Sequence, residues 1–291
     1  MSNANITAAW TALAAGPYTL DGSLSDGTGV ALLPASDTSH WSADRATPAP
    51  ALCATWTAWG ALVAAAPALG AAAGSEPFVY DLVNTGREAL AQLSSPLSQN
   101  FSAVLQAPGP LDAAAIERTG PPYLALLLDL DALLATGTAF LLGPWVEAAR
   151  AWGGKSDDCG GTAIGDLACP DFYAWNALCQ ITTWYPTLPN ASAVPQRDGD
   201  YARKHWSPLV ADYYAERVRL TLAQARVDAA AHGPLNTTAV ARAGAALAYS
   251  FTTPPYPAFP LVPAPDAVGV STRLRAKYAP YFEACTQAQF D

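Results

Sequence analysis

Apolar residues recur at intervals of three and four along most of this chain of 291 residues, whereas period-two alternation with β-branched residues is scarce. That periodicity puts apolar side chains on one face of successive helices and leaves little material for half-buried strands. The expected fold is all-α, an irregular multi-helix bundle of long antiparallel helices joined by loops. With 51% hydrophobic and only 13% charged residues, the chain has ample material for a core and an unusually neutral surface.

A short helix is expected over residues 6–15, followed by a Gly-, Ser-, Asp- and Pro-rich stretch to Pro50 that reads as a wrapping loop. Residues 1–50 are therefore assigned to an N-terminal helix and loop segment packed on the bundle, and residues 51–291 to the main helical domain. The Ala-rich run 55–69 strongly favours helix. Ser75-Glu76-Pro77 then supplies a break and a new start for a helix over 78–93, proline being tolerated in the first turn. Further helices are expected over 111–135, 138–152, 171–183, 207–231, 238–251 and 271–284. Ser207 before Pro208 reads as an N-cap followed by proline at the first helical position. Trp206, Leu209, Val210, Tyr213 and Tyr214 follow helical spacing into the core. The insert 153–169 and the Pro-rich connection 252–267 are too irregular for helix.

The net charge is −9, and no run of Lys or Arg forms the basic stripe that neutralising phosphates requires, so nucleic acid is not an expected partner. The longest apolar stretches are interrupted, one by Pro67 and Gly70, the other by Asp129 and Asp131, so no membrane span is expected. Cys53, Cys159, Cys169, Cys179 and Cys285 contain no C-x-x-C pair and have no histidine at zinc-like spacing, and neither metal nor other cofactor is expected. His40, His205 and His232 are scattered, with no H-E-x-x-H motif and no nucleophile elbow. Asp129 and Asp131 stand two apart on a helix and point to different faces, which sets them aside as a catalytic pair. Arg87 and Arg217 are expected to pair with a carboxylate or a helix end. Cys159 and Cys169 flank a Gly-rich stretch, and sequons at Asn5, Asn100, Asn190 and Asn236 would suit a secretory protein.

The helix beginning near Asp171 carries the most chemical information. Phe172, Trp175, Cys179 and Thr182 fall on one face, while Asn176, Gln180 and Trp184 share another at four-residue spacing. Amides can bond ring hydroxyls in both directions, and an indole packs on the apolar face of a pyranose. The same set also fits an amide network that satisfies a bundle interior.

The stretch Asp171-Phe-Tyr-Ala-Trp-Asn-Ala-Leu-Cys-Gln-Ile-Thr-Thr-Trp-Tyr-Pro186, then Asp200-Tyr-Ala, then Lys204-His-Trp-Ser-Pro-Leu-Val-Ala-Asp-Tyr-Tyr214 with Arg217, resembles the C-terminal region of α-N-acetylglucosaminidases, glycoside hydrolase family 89. Tyr80-Asp-Leu-Val83 with Arg87, Leu127-Leu-Asp129-Leu-Asp131, Phe140-Leu-Leu-Gly143, Trp145, Glu147, Ala149 and Arg150 resemble the preceding helices, in collinear order. The sequence departs from the family at Leu178, where a polar or basic residue is usual, and at Tyr185 and Pro208, where glycine is usual. The segments 153–169 and 187–199 are longer than the family's compact loops.

This resemblance implies an N-terminal α/β domain and a central (β/α)8 barrel preceding the helical domain, both outside the chain. Two barrel glutamates would perform retaining hydrolysis of terminal α-linked N-acetylglucosamine, as in heparan sulfate degradation, with carboxyls roughly 5 Å apart. None of Glu76, Glu88, Glu117, Glu147, Glu216 and Glu283 falls in a motif resembling that pair. The chain would form one wall of the sugar pocket, with Trp184 stacking and Asn176, Gln180, Asp200 and Tyr201 nearby, positioning substrate without moving protons. Packing against the bundle or the barrel equally accounts for Trp184 and Tyr201, and Asp200 equally suits a helix cap. No basic n-region and apolar core opens the chain, so lysosomal or secreted localisation is assigned to a longer precursor. The alternative reading is a stand-alone, non-catalytic helical binding or scaffold protein derived from that domain.

Overall fold

The structure is a computed structural model and describes residues 3–19, 49–154, 167–184 and 202–287. Ten α-helices make up most of the described residues: α1 (Ala4–Ala15), α2 (Ala49–Leu69), α3 (Glu76–Leu105), α4 (Ala113–Leu134), α5 (Leu142–Gly153), α6 (Cys169–Ile181), α7 (Glu216–Ala230), α8 (Thr237–Thr252), α9 (Ala267–Tyr278) and α10 (Glu283–Gln287). The expected irregular all-α bundle is what forms, and among the described residues extended pairing is limited to a single bridge between Leu141 and Ser207. Most of the loop expected over 16–50 lies outside the described residues, as does much of the 153–169 insert.

Local chemistry accounts for most helix starts. Asn3 accepts from the backbone of Asn5 and Ile6 to cap α1, and Asp112 accepts from Ala114 and Ala115 to cap α4. Helix α3 departs furthest from expectation, running past the expected end at Leu93 and through Pro96 to Leu105. An interior proline removes a helical hydrogen bond at a cost of about 3 kcal/mol. Phe101 and Leu105, downstream of it, are buried in the core. Burial of a large apolar side chain yields roughly 1.5–3 kcal/mol, so two of them offset the break.

Helices α3 and α4 form the centre. Leu82, Val83, Leu90 and Phe101 of the first meet Tyr123, Leu126, Leu127 and Leu130 of the second, all fully buried. Helix α2 is long and apolar enough to cross a bilayer by length and composition alone. Here it packs between α1 and α3, with Trp56, Trp59, Leu62 and Ala65 in the core. The C-terminal end closes on the same helix: Cys53 is disulfide-bonded to Cys285, Trp56 stacks on Phe282 at 4.0 Å, and the Arg275 guanidinium lies 4.0 Å from the Trp56 ring centroid. Asp129 receives hydrogen bonds from Lys277 and Tyr278, tying α4 to α9.

The helix expected over 207–231 is present but starts differently. Its first described turns, Val210–Ala215, are π-helical and lead into α7. Ser207 does not cap it. Asp131 of α4 accepts from the Ala211 backbone at 3.0 Å and from the Ser207 hydroxyl at 2.9 Å, so a buried carboxylate from another helix holds this start. The Ser207 backbone is occupied by pairing with Phe140 and Leu142, and that pairing fixes the chain's entry to the helix.

The Pro-rich segment after α8 is non-helical, as expected, and lies back on the bundle through Ala264 N–H to the Ala135 carbonyl at 2.7 Å and the Tyr256 hydroxyl to the Asp171 carbonyl at 3.3 Å. Gly143 makes this approach possible, because a Cβ there would lie 2.2 Å from the Pro260 carbonyl oxygen. Gly143→Ala is expected to lose about 1–3 kcal/mol of stability by overpacking, measurable in urea unfolding. An unchanged midpoint would show that the Pro-rich segment does not sit this close in solution.

Candidate functional site

Helix α6 forms an antiparallel pair with α5, held by an Arg150–Asp171 ion pair at 3.3 Å and by the Trp145 indole N–H donating to the Ala177 carbonyl at 3.2 Å. Its inward face contains Ala174, Trp175, Leu178 and Cys179, with Thr182 buried just beyond the end. Burial raises the Cys179 thiol to about 11, so the thiol is an inert packing group at neutral pH.

The outward face presents the amide-bearing residues. Asn176 and Gln180 are both exposed, and neither amide bonds to a described residue, so they do not satisfy a bundle interior. Trp184 follows at the helix end and is 43% exposed. Its backbone N–H donates to the Cys179 carbonyl at 2.7 Å, and its φ of 62° lies in the left-handed region. A helix commonly ends on a residue in this conformation, but glycine normally takes the position. An L-residue there costs roughly 1–2 kcal/mol. Strain of this kind persists where the surroundings over-determine it and clusters at binding sites. Asp200 and Tyr201 lie outside the described residues.

Sequence reasoning left Trp145 out of the candidate set. It is 39% exposed, bonds α6 directly and sits 5.8 Å from the half-buried Trp206 ring. Its place in the same collinear motif series was the available signal. Trp145 thus lies against the helix that carries the exposed amides and ends at Trp184, with Trp206 packed on its other side.

Arg87 donates to Asn84 at 3.0 Å, pairs with Glu88 at 3.1 Å and contacts His205 Nδ1 at 3.1 Å. A guanidinium only donates, so Nδ1 is the acceptor and Nε2 carries the imidazole proton. Burial, reinforced by the charges of Arg87 and Arg203, holds His205 down at about 3, and the ring is neutral at any ordinary pH. It orients Arg87 and is not placed to shuttle protons. The Arg217 guanidinium lies over the Tyr213 and Tyr214 rings at 4.6 and 5.1 Å, buried inside the bundle. Among the described residues, no three His, Cys, Asp or Glu side chains gather into a metal-holding group.

This geometry can be set beside known proteins. The family model of the alpha-N-acetylglucosaminidase C-terminal domain matches residues 1–277. Human alpha-N-acetylglucosaminidase is 36% identical over 188 residues, a stretch that covers 60% of this chain and 20% of that protein. A family 89 glycoside hydrolase from Clostridium perfringens, solved in complex with 2-acetamido-1,2-dideoxynojirmycin, superposes with a TM-score of 0.73 at 16% identity, covering 95% of this chain and 30% of that one. A form of the same enzyme in complex with its substrate GlcNAc-alpha-1,4-galactose gives a TM-score of 0.72. The chain thus spans well under half the length of each of these proteins.

Proposed function

Since the chain belongs to the family of α-N-acetylglucosaminidase C-terminal domains, we propose that it supplies one wall of a pocket for terminal α-linked N-acetylglucosamine. The remaining walls and the two glutamates of a retaining hydrolysis belong, on this reading, to an α/β domain and a (β/α)8 barrel that dock against it. The observation that carries the proposal is the α6 face, where the exposed amides of Asn176 and Gln180 precede an exposed Trp184 held in a left-handed conformation. Trp184 stacks on the sugar, and the amides bond its hydroxyls and acetamido group. Asp200 and Tyr201 complete the wall. The role is positioning: holding the substrate in the reactive geometry while the barrel carboxyls do the proton transfer and the displacement.

Disulfides form and persist in oxidising compartments, and Cys53, Cys169 and Cys285 are all disulfide-bonded. That chemistry supports a lysosomal or secreted setting, where a heparan-type glycan ending in N-acetylglucosamine is the fitting substrate.

The test is a titration of N-acetylglucosamine into the chain, followed by the Trp184 indole resonance in NMR. The expected result is a saturable shift of that indole and of the Asn176 and Gln180 side-chain amides, the amide shifts being lost in Trp184→Ala. Trp184→Gly should lose them too while remaining folded, because glycine relieves the left-handed backbone. No response at millimolar sugar, with the fold intact, would overturn the wall assignment and favour a scaffold role.

A further inference from the structure

We propose that Asn236 is a site of N-linked glycosylation, placed at the pole of the bundle opposite the α6 surface, and that the sequon at Asn5 is not used in the folded chain. The inference does not depend on the sugar-pocket reading. It joins two independent observations: disulfide-bonded cysteines at three positions, which mark an oxidising secretory route, and the local geometry of the sequons.

Asn236-Thr237-Thr238 lies at the junction of the α7–α8 loop and α8, and all three residues are exposed. The Asn236 backbone N–H donates to Asp228 Oδ2 at 2.7 Å, and its side-chain Oδ1 accepts from Ala239 N–H at 3.0 Å. With Oδ1 turned to the helix start, Nδ2, the atom that is modified, faces away from it and bonds no described residue. A glycan on Nδ2 leaves both of those hydrogen bonds in place. Asn5 is the reverse case: its Nδ2 donates to the Ala64 carbonyl at 3.0 Å across the α1–α2 contact, so a glycan there would force the two helices apart. Asn100 is exposed near the C-terminal end of α3 and has no such conflict.

Leu111 N–H donates to the Gly233 carbonyl at 3.0 Å, so the α3–α4 and α7–α8 connections meet at one pole, with Asn236 on it and Asn100 close by. Trp184 lies at the other end. The Tyr214 hydroxyl reaches the Ile181 carbonyl at 3.5 Å, which sets the end of α6 beside the first turns of the helix that terminates at Ala230. At a rise of about 1.5 Å per residue, the ends of that helix are about 30 Å apart. A hydrated oligosaccharide at Asn236 therefore covers a solvent-facing pole and leaves the α6 surface clear.

The chemistry is group transfer from a polyprenyl-diphosphate-linked oligosaccharide. Asn236 Nδ2 attacks the anomeric carbon, the bond from that carbon to the phosphate oxygen breaks, one Nδ2 proton passes to the transferase's base, and the lipid diphosphate leaves.

The test is expression of the full chain behind a cleavable secretory leader in eukaryotic cells, with endoglycosidase removal of glycans in heavy-oxygen water and peptide mapping of both the medium and the intracellular pool. The expected result is heavy-oxygen deamidation at Asn236 and none at Asn5. Thr238→Ala should abolish the first while preserving the helix cap and the thermal midpoint of the unglycosylated chain. Because transfer precedes export, a chain retained inside the cell still reports occupancy. Unmodified Asn236 in either pool, or a glycan found at Asn5 in folded chain, would overturn the proposal.

Discussion

Replacing both Cys53 and Cys285 with serine is expected to lower stability by about 3–5 kcal/mol, on a chain-entropy argument in which the gain from a disulfide grows with the logarithm of the loop it closes. The loop here is close to the largest the chain allows, with a sequence separation of 232. In the reduced unfolded state the two ends of the domain wander independently, whereas the disulfide holds them together before any packing forms. For a domain of this size, each kcal/mol is worth roughly 2–4 °C, so the midpoint should fall by about 10 °C. Differential scanning calorimetry of the oxidised wild-type chain against the oxidised double variant, which keeps the disulfide at Cys169, would measure it. Hydrogen exchange adds a spatial check. The residues closing on α2, Arg275 over Trp56 and Phe282 stacked on it, should lose protection together. A loss under 1 kcal/mol would mean that α9 and α10 are held by packing alone and that the disulfide is incidental.

The second large effect is a pH dependence carried by Asp131. This carboxyl is buried, and burial raises it from 3.8 to about 6, against the opposing pull of the hydrogen bonds from Ser207 and Ala211. The folded chain therefore binds the proton more tightly than the unfolded chain. The resulting contribution is fully present below about pH 4 and is lost as pH rises through about 6, a change of roughly 3 kcal/mol at 1.4 kcal/mol per unit. His205 works in the opposite sense. Its folded value of about 3 lies below the ordinary 6.5, so its contribution is present above about pH 6.5 and fades as pH falls. The total pH profile mixes the two, and the difference between the wild-type chain and Asp131→Asn isolates the first. The wild-type chain should gain roughly 2 kcal/mol relative to that variant between pH 7 and pH 4, read from urea unfolding at each pH. A difference that stays constant across that range would mean that Asp131 is not desolvated in solution.

These two effects separate what is visible in a sequence from what is not. The five cysteines are legible as letters, but pairing Cys53 with Cys285 requires knowing that α10 returns to α2. Asp131 reads as one of two carboxylates in a leucine-rich run. Only the fold shows that it reaches across to start another helix, replacing the cap that Ser207 seemed to provide. Helix α3 makes the same point about length, since local propensity ends it before Pro96 and burial of Phe101 and Leu105 carries it on to Leu105.

The sequence by itself determined the all-helical class, the Pro-rich loop after α8 and the two-faced character of α6, because each follows from periodicity or backbone preference within a few turns of one segment. It also determined family membership, through motifs in collinear order. Tertiary structure alone decided that Asn176 and Gln180 lie open to solvent instead of inside the bundle, that Trp184 ends α6 in a left-handed conformation, and that Trp145 lies against that helix. Those outcomes depend on which helix covers which face, a long-range balance of burial and backbone strain that no single segment encodes.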